Sequence, residues 1–161
     1  MKTKPEWLTE AEKYIGTKEI RGSRHNPQIL EFWDEIGMGG INTDEVPWCA
    51  SFVGAVLEEC GIRSTRSGSS KSYLNWGIKL DKPVQGCIVV FTRNGGGHVG
   101  FVEGIDKIGN LYVLGGNQSD AVNVKLFKTT NVVGYRWPNE YDVVASLPVL
   151  SSSVAFETKV V

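Results

Sequence analysis

Three side chains in this sequence have types and settings that could carry out acyl-transfer chemistry: Cys49, His98 and Asn117. Cys49 stands in VPWCASFVGAVLEECGI, residues 46–62, at the mouth of an apolar run and directly behind Pro47 and Trp48. Backbone N–H groups in a first helical turn lack intrahelical partners and the helix dipole is positive there, so this position favours thiolate, the nucleophilic form. On position alone, a buried structural cysteine fits equally well. Cys60 lies eleven residues on, about three turns along the same face, and reads as a small packed hydrophobe. His98 follows three glycines in TRNGGGHVGFVEG, at the start of an expected strand. Glycine there lets a backbone or ligand approach closely. Strand alternation puts His98, Gly100 and Val102 on one face and Val99, Phe101 and Glu103 on the other. An imidazole beside a helix-start cysteine is the general arrangement for thiol catalysis. The second histidine, His25, reads as a solvated or capping residue ahead of a helix.

Asn117, in LYVLGGNQSD, shares strand parity with Leu111, Val113 and Gly115, whereas Gln118 points away if the strand continues. An amide oxygen accepting from the ring N–H would hold the imidazole in the useful tautomer. The competing reading is a turn asparagine, since Gly-Asn and Ser-Asp are ordinary turn pairs.

The elements that must position these groups follow from hydrophobic periodicity. In PEWLTEAEKYIG, Trp7, Leu8, Ala11, Tyr14 and Ile15 fall on one helical face. In NPQILEFWDEIG, Asn26 is the expected N-cap, Pro27 a first-turn proline and Gly37 the stop. A third, amphipathic helix is expected from about Trp48 to Cys60, closed by Gly61, and a short capped helix in TRSGSSKSYLNWG ends near Gly77. The period then changes. CIVVFTR, HVGFVEGID, NLYVLGGN, AVNVKLF and NVVGYRW are β-rich runs separated by Gly, Asn and Asp, with connections suited to an antiparallel meander. Helices first and strands second predict an α+β domain over residues 1–138, the N-terminal helices packed on a C-terminal antiparallel sheet of about five or six strands. Residues 139–161 read as an appended tail.

Composition narrows the function classes. The chain of 161 residues suits one domain, and a net charge of −1 gives no nucleic-acid or anionic-membrane footprint. The N-terminus lacks the apolar core of a secretory signal, and runs such as residues 87–91 are too short to span a bilayer. Cysteines at 49, 60 and 87 form no C-x-x-C pair and cannot all be paired within one chain, which argues against a disulfide framework or structural zinc site. No metal or cofactor is expected, and the chain is expected to be made in a reducing cytoplasm and to be a monomer.

Taken in order, NPQILEFW, VPWCASFVGAVLEECGI, SKSYLNWG, GCIVVFTR with GHVGFVEG, LYVLGGNQSD and GYRWP make residues 5–138 resemble the CHAP and NlpC-type papain-like cysteine peptidases. The resemblance is closest to a phage-associated group whose nucleophile sits in P-W-C-A-x-F. It implies a papain-like fold and cleavage of an amide bond in bacterial peptidoglycan, by amidase or endopeptidase action, in an endolysin or tail-associated lysin that reaches the wall after release. It also implies Cys49 as nucleophile, His98 as base and Asn117 as the orienting residue. Trp48, Tyr73 and Asn75 are candidate substrate contacts, with core packing an equal reading for Tyr73. The sequence departs from relatives at Cys87, where an acid is common, at Trp48, where glutamine often precedes the nucleophile, and at Gly115, where glutamate is frequent. The side-chain half of an oxyanion hole is thereby unassigned, with Asn42 and Thr43 as candidates beside the Cys49 backbone N–H. An acyltransferase with the same triad and a non-catalytic wall-binding or phage structural module are the alternative readings.

Overall fold

The computed structural model describes residues 4–20, 24–94, 96–144, 146–151 and 158–160. Helix α1 spans Glu6–Glu12, α2 Pro27–Glu35 and α3 Cys49–Glu59, followed by a 3-10 turn η1 at Ser70–Asn75. Asn26 caps α2 as its pairing with Pro27 predicts, its side chain accepting from the Gln28 N–H at 2.9 Å.

Seven strands form one sheet in the order β1-β6-β2-β3-β4-β5-β7, with β1 Ile78–Leu80, β2 Ile88–Arg93, β3 Gly96–Ile105, β4 Leu111–Gly115, β5 Asn123–Phe127, β6 Val132–Trp137 and β7 Thr158–Val160. Strands β1 to β6 pair antiparallel, and β7 runs parallel to β5. The α+β arrangement is thus as the sequence implies, and two short strands are additional. β1 escapes the sequence because three residues, two of them exposed, carry no readable alternation.

Residues Cys49–Leu57 of α3 are all buried. An apolar stripe on one face would leave a wet side, whereas this helix is enclosed all round up to Glu58. Aromatic rings tie the layers together. Phe52 of α3 meets Phe32 of α2 at 5.3 Å and Phe101 of β3 at 6.4 Å, both edge-on. Burial of Phe52 and its neighbours fixes the start of α3 against β3, so the first turn of that helix faces one end of the strand that carries His98.

Beyond residue 138 the described chain returns to the sheet: the Ile105 N–H donates to Pro148 O at 2.9 Å and the Leu150 N–H to Ile105 O at 2.7 Å. Tyr141 lies edge-on to Trp7 at 5.3 Å.

Candidate active site

A cleft of about 450 Å³ opens where the start of α3 meets the β2–β3 hairpin, lined by Pro47, Cys49, Gly68, Ser69, Ser70, Lys71, Arg93, Asn94, Gly96, Gly97, His98 and Asn117. All three residues singled out from the sequence therefore border one cavity. Their relations to each other differ from expectation.

Cys49 is the first residue of α3 and 7% exposed. Burial pushes its thiol up, against the backbone N–H groups of Val99 and Ala50, its own N–H and the Arg93 charge, all of which favour thiolate. The backbone donors expected at the helix start are present, but desolvation of a charged sulfur outweighs their partial charges here. The sulfur's proximity to the Val99 N–H puts it beside the residue that follows His98. Among the described residues no hydrogen bond joins Cys49 to His98. Catalytic hydrogen bonds are often open without substrate and tighten when it binds.

His98 pairs with Phe91 across the β2–β3 ladder, and its ring stacks on Phe127 at 5.6 Å with 25° between planes. The ring is 2% exposed. Burial brings its pKa down to about 4, the Gln118 hydrogen bond opposes this, and Arg93 and Lys125 add to it. At neutral pH the resting state is therefore a neutral imidazole beside a neutral thiol.

The partner of the imidazole is Gln118, not Asn117: His98 Nε2 lies 2.9 Å from Gln118 Oε1. The amide orientation is fixed by its surroundings, since Gln118 Nε2 donates to Asn123 O and Asn123 Oδ1 at 2.9 Å and to Val113 O at 3.2 Å. An amide whose nitrogen faces three acceptors must turn its oxygen to the ring, so Nε2 carries the proton and Nδ1 is the basic nitrogen. Asn117 lines the cleft instead. The correction has a backbone cause. β4 ends at Gly115, and Asn117, Ser119 and Asp120 all take positive φ of 58°, 54° and 61°. Strand parity does not survive such a turn, so Gln118 swings inward. Gly115 makes this possible: a Cβ there would lie 2.5 Å from Gln118 Oε1 and 3.3 Å from His98 Nε2. Gly116 serves a second close approach, because its Cβ would lie 2.8 Å from the Trp48 ring and 2.7 Å from Phe52 Cβ.

Other expected contacts are also revised. Trp48 and Tyr73 are each 0% exposed and have no ring face to offer a ligand. Trp48 stacks on Phe32 at 6.1 Å and donates from Nε1 to Glu19 Oε2 at 2.9 Å. Asn75 is exposed at the end of η1 and does not line the cleft. Asn42 and Thr43 do not line it either. Thr43 Oγ1 accepts from the Glu45 N–H at 3.2 Å and lies 3.4 Å from His25 Nδ1. His25 belongs to a node around buried Asp44, whose oxygens take the Ile20 and Asn26 N–H groups at 2.8 and 2.9 Å and His25 Nδ1 at 3.0 Å.

Sequence reasoning passed over residues 16–20. This strap zips onto the segment after Gln118: the Gly16 N–H donates to Val122 O at 3.0 Å, the Val122 N–H to Thr17 O at 2.8 Å, and the Glu19 N–H to Asp120 O at 2.9 Å. Glu19 thereby joins Trp48, the residue before the thiol, to the loop that holds the imidazole's partner.

A family model of the CHAP domain matches residues 41–117. Over that stretch, a little under half of the chain, the protein is similar to CHAP domains. The matched segment holds both Cys49 and His98 and stops one residue before Gln118. No curated protein matches the chain. Among the described residues, no group of three or more His, Cys, Asp or Glu side chains could hold a metal ion, and no helix is long and apolar enough to cross a membrane.

Proposed function

We propose that this protein hydrolyses an amide bond of bacterial peptidoglycan, as an amidase or a peptide endopeptidase, through Cys49 and His98 with Gln118 as the residue that positions His98. The observation that carries this reading is the His98 Nε2 to Gln118 Oε1 hydrogen bond at 2.9 Å in the same cleft as a helix-start cysteine. With Nε2–H committed to Gln118, Nδ1 is the base. As the Cys49 sulfur attacks the carbonyl carbon, its proton passes to Nδ1 and the imidazolium that forms is held by Gln118. The oxyanion faces the Cys49 backbone N–H, the donor available at the helix start. The imidazolium then gives its proton to the leaving amine. A water, deprotonated by Nδ1, cleaves the thioester and returns the thiol.

The CHAP match supports the substrate class, and the proposal extends it to a phage endolysin or tail-associated lysin acting on the wall as a monomer. Digestion of purified cell walls followed by mass spectrometry tests the reaction. New amino termini on stem peptides, or lactyl groups freed from peptide, identify the bond. Walls left intact by folded wild-type protein would sink the proposal.

A further inference from the structure

The cleft beside Cys49 contains two cations, Lys71 and Arg93, and no carboxylate lines it among the described residues. This is not a bulk property, since the whole chain carries 18 acidic against 17 basic residues. Both cations are exposed, and neither makes an ion pair or side-chain hydrogen bond among the described residues. Their placement follows from the hairpin. Phe91 pairs with His98 and Arg93 with Gly96, so Arg93 stands on the same ladder face as the imidazole, two pairs beyond it. Gly96 and Gly97 put no side chain between them. Lys71 borders the same cleft from η1, its Cε 3.8 Å from where a Cβ on Gly97 would stand, on the ladder face opposite to that of Arg93. Arg93 also walls a neighbouring cleft of about 560 Å³ where, among the described residues, the other charged lining residue is Lys128 and no carboxylate is present.

A role for Arg93 in activating the thiol is the rival explanation, and its own electrostatics weaken it. The guanidinium favours thiolate at Cys49 and disfavours imidazolium at His98. Moving a proton from sulfur to imidazole creates both charges together, so the two effects oppose each other. A cation whose two effects on that transfer oppose each other, without an ion pair among the described residues and bordering the cleft of the attacking sulfur, is available to the ligand.

Building on the hydrolase reading above, we propose that Arg93 and Lys71 select peptides bearing a free carboxylate next to the scissile amide. The substrate class is thus an acidic peptide, and converting that carboxylate to a carboxamide removes the contact. A charged hydrogen bond of this kind is worth about tenfold in affinity or more, and exposure makes it salt-sensitive.

The test uses two probes, acetyl-L-alanyl-γ-D-glutamyl-L-lysine amide with a free glutamyl α-carboxylate and the same peptide with that group as carboxamide. Binding is measured by calorimetry on the Cys49→Ala protein, with and without Arg93→Gln or Lys71→Gln. Thermal midpoints confirm that these surface variants fold. The expected result is about tenfold tighter binding of the carboxylate peptide, shrinking in high salt and collapsing toward equality with Arg93→Gln. Equal affinities, binding of neither peptide, or a preference that survives loss of both cations would overturn the inference. Wild-type turnover separates the two proposals. Preference in binding without cleavage of either walls or peptide sinks the hydrolase reading alone, whereas cleavage of both peptides without preference sinks only the selection by charge.

Discussion

Replacing Gln118 with alanine is the sharpest perturbation of the proposed site. The side chain accepts one hydrogen bond from the ring of His98 and donates three contacts from its nitrogen. During catalysis the ring becomes an imidazolium, and a hydrogen bond to a charged group contributes about 1.5–3 kcal/mol. If that is lost only as the charge forms, kcat falls by roughly tenfold to a hundredfold or a little more. The donor side acts on the fold instead. Carbonyls of Val113 and Asn123 lose a partner, at about 1–3 kcal/mol in total stability. Gln118→Glu separates the two. It keeps an acceptor toward the ring, surrenders the donors, and places a negative charge beside the imidazole, which raises the His98 pKa. Its rate should therefore recover relative to Gln118→Ala while the acid limb of its pH profile moves upward. The control is Asn117→Ala. With φ at 58°, alanine there costs roughly 1–2 kcal/mol of backbone strain, and kcat should change little. Rates come from dye release by labelled cell walls and stability from thermal unfolding. Full activity in Gln118→Ala, or a loss in Asn117→Ala as deep as that expected for Gln118→Ala, would refute the assignment.

Three further outcomes follow. Because burial holds His98 neutral down to about pH 4, the base form persists in acid and kcat/KM should fall only well below pH 6.5; an acid limb at or above 6.5 contradicts this. Iodoacetamide with peptide mapping should label Cys49 ahead of Cys60 and Cys87, with a rate rising above neutral pH. Burial lifts the latter two thiols to about 11 and about 12, and early labelling of either removes the case for Cys49. Glu103 is 0% exposed with neither carboxylate oxygen hydrogen-bonded among the described residues, and burial, then neighbouring Glu12, raise its pKa to about 9 while Lys4 opposes them. The folded state thus holds a proton that the unfolded chain releases near pH 4.5, so stability falls as pH climbs from there toward 9. Glu103→Gln should flatten that slope in thermal midpoints measured from pH 5 to 9, and an unchanged slope refutes the argument.

Much of the fold could be read from the chain because local signals agreed with global packing. Asn26 with Pro27 announced α2, and period-2 runs announced β2 to β6. Cys49 and His98 were legible for the same reason, each sitting at the end of a regular element where spacing predicts position. Gln118 was not. Its orientation depends on where β4 stops, and extending strand parity through Gly-Gly-Asn made the wrong residue face the ring. The turn chemistry of GGNQSD was itself the warning, since parity has no meaning once φ turns positive. Trp48 and Tyr73 failed differently: whether an aromatic ring is wall or core is decided by partners such as Phe32 and Glu19, which lie far away in sequence.

The strap at residues 16–20 bears on how this domain can be recombined. Segment 41–117 contains the thiol and the imidazole and would look like a portable cassette. Transplanted alone into another scaffold, it would leave behind Gln118, Asn123 and Glu19, and with them both the amide that aims the ring and the tie between Trp48 and the loop after β4. The smallest transferable unit therefore runs from before Gly16 to beyond Asn123. A chimaera cut at the matched boundaries should keep a cysteine and a histidine in register on one hairpin and helix, yet hold them with no common reference point.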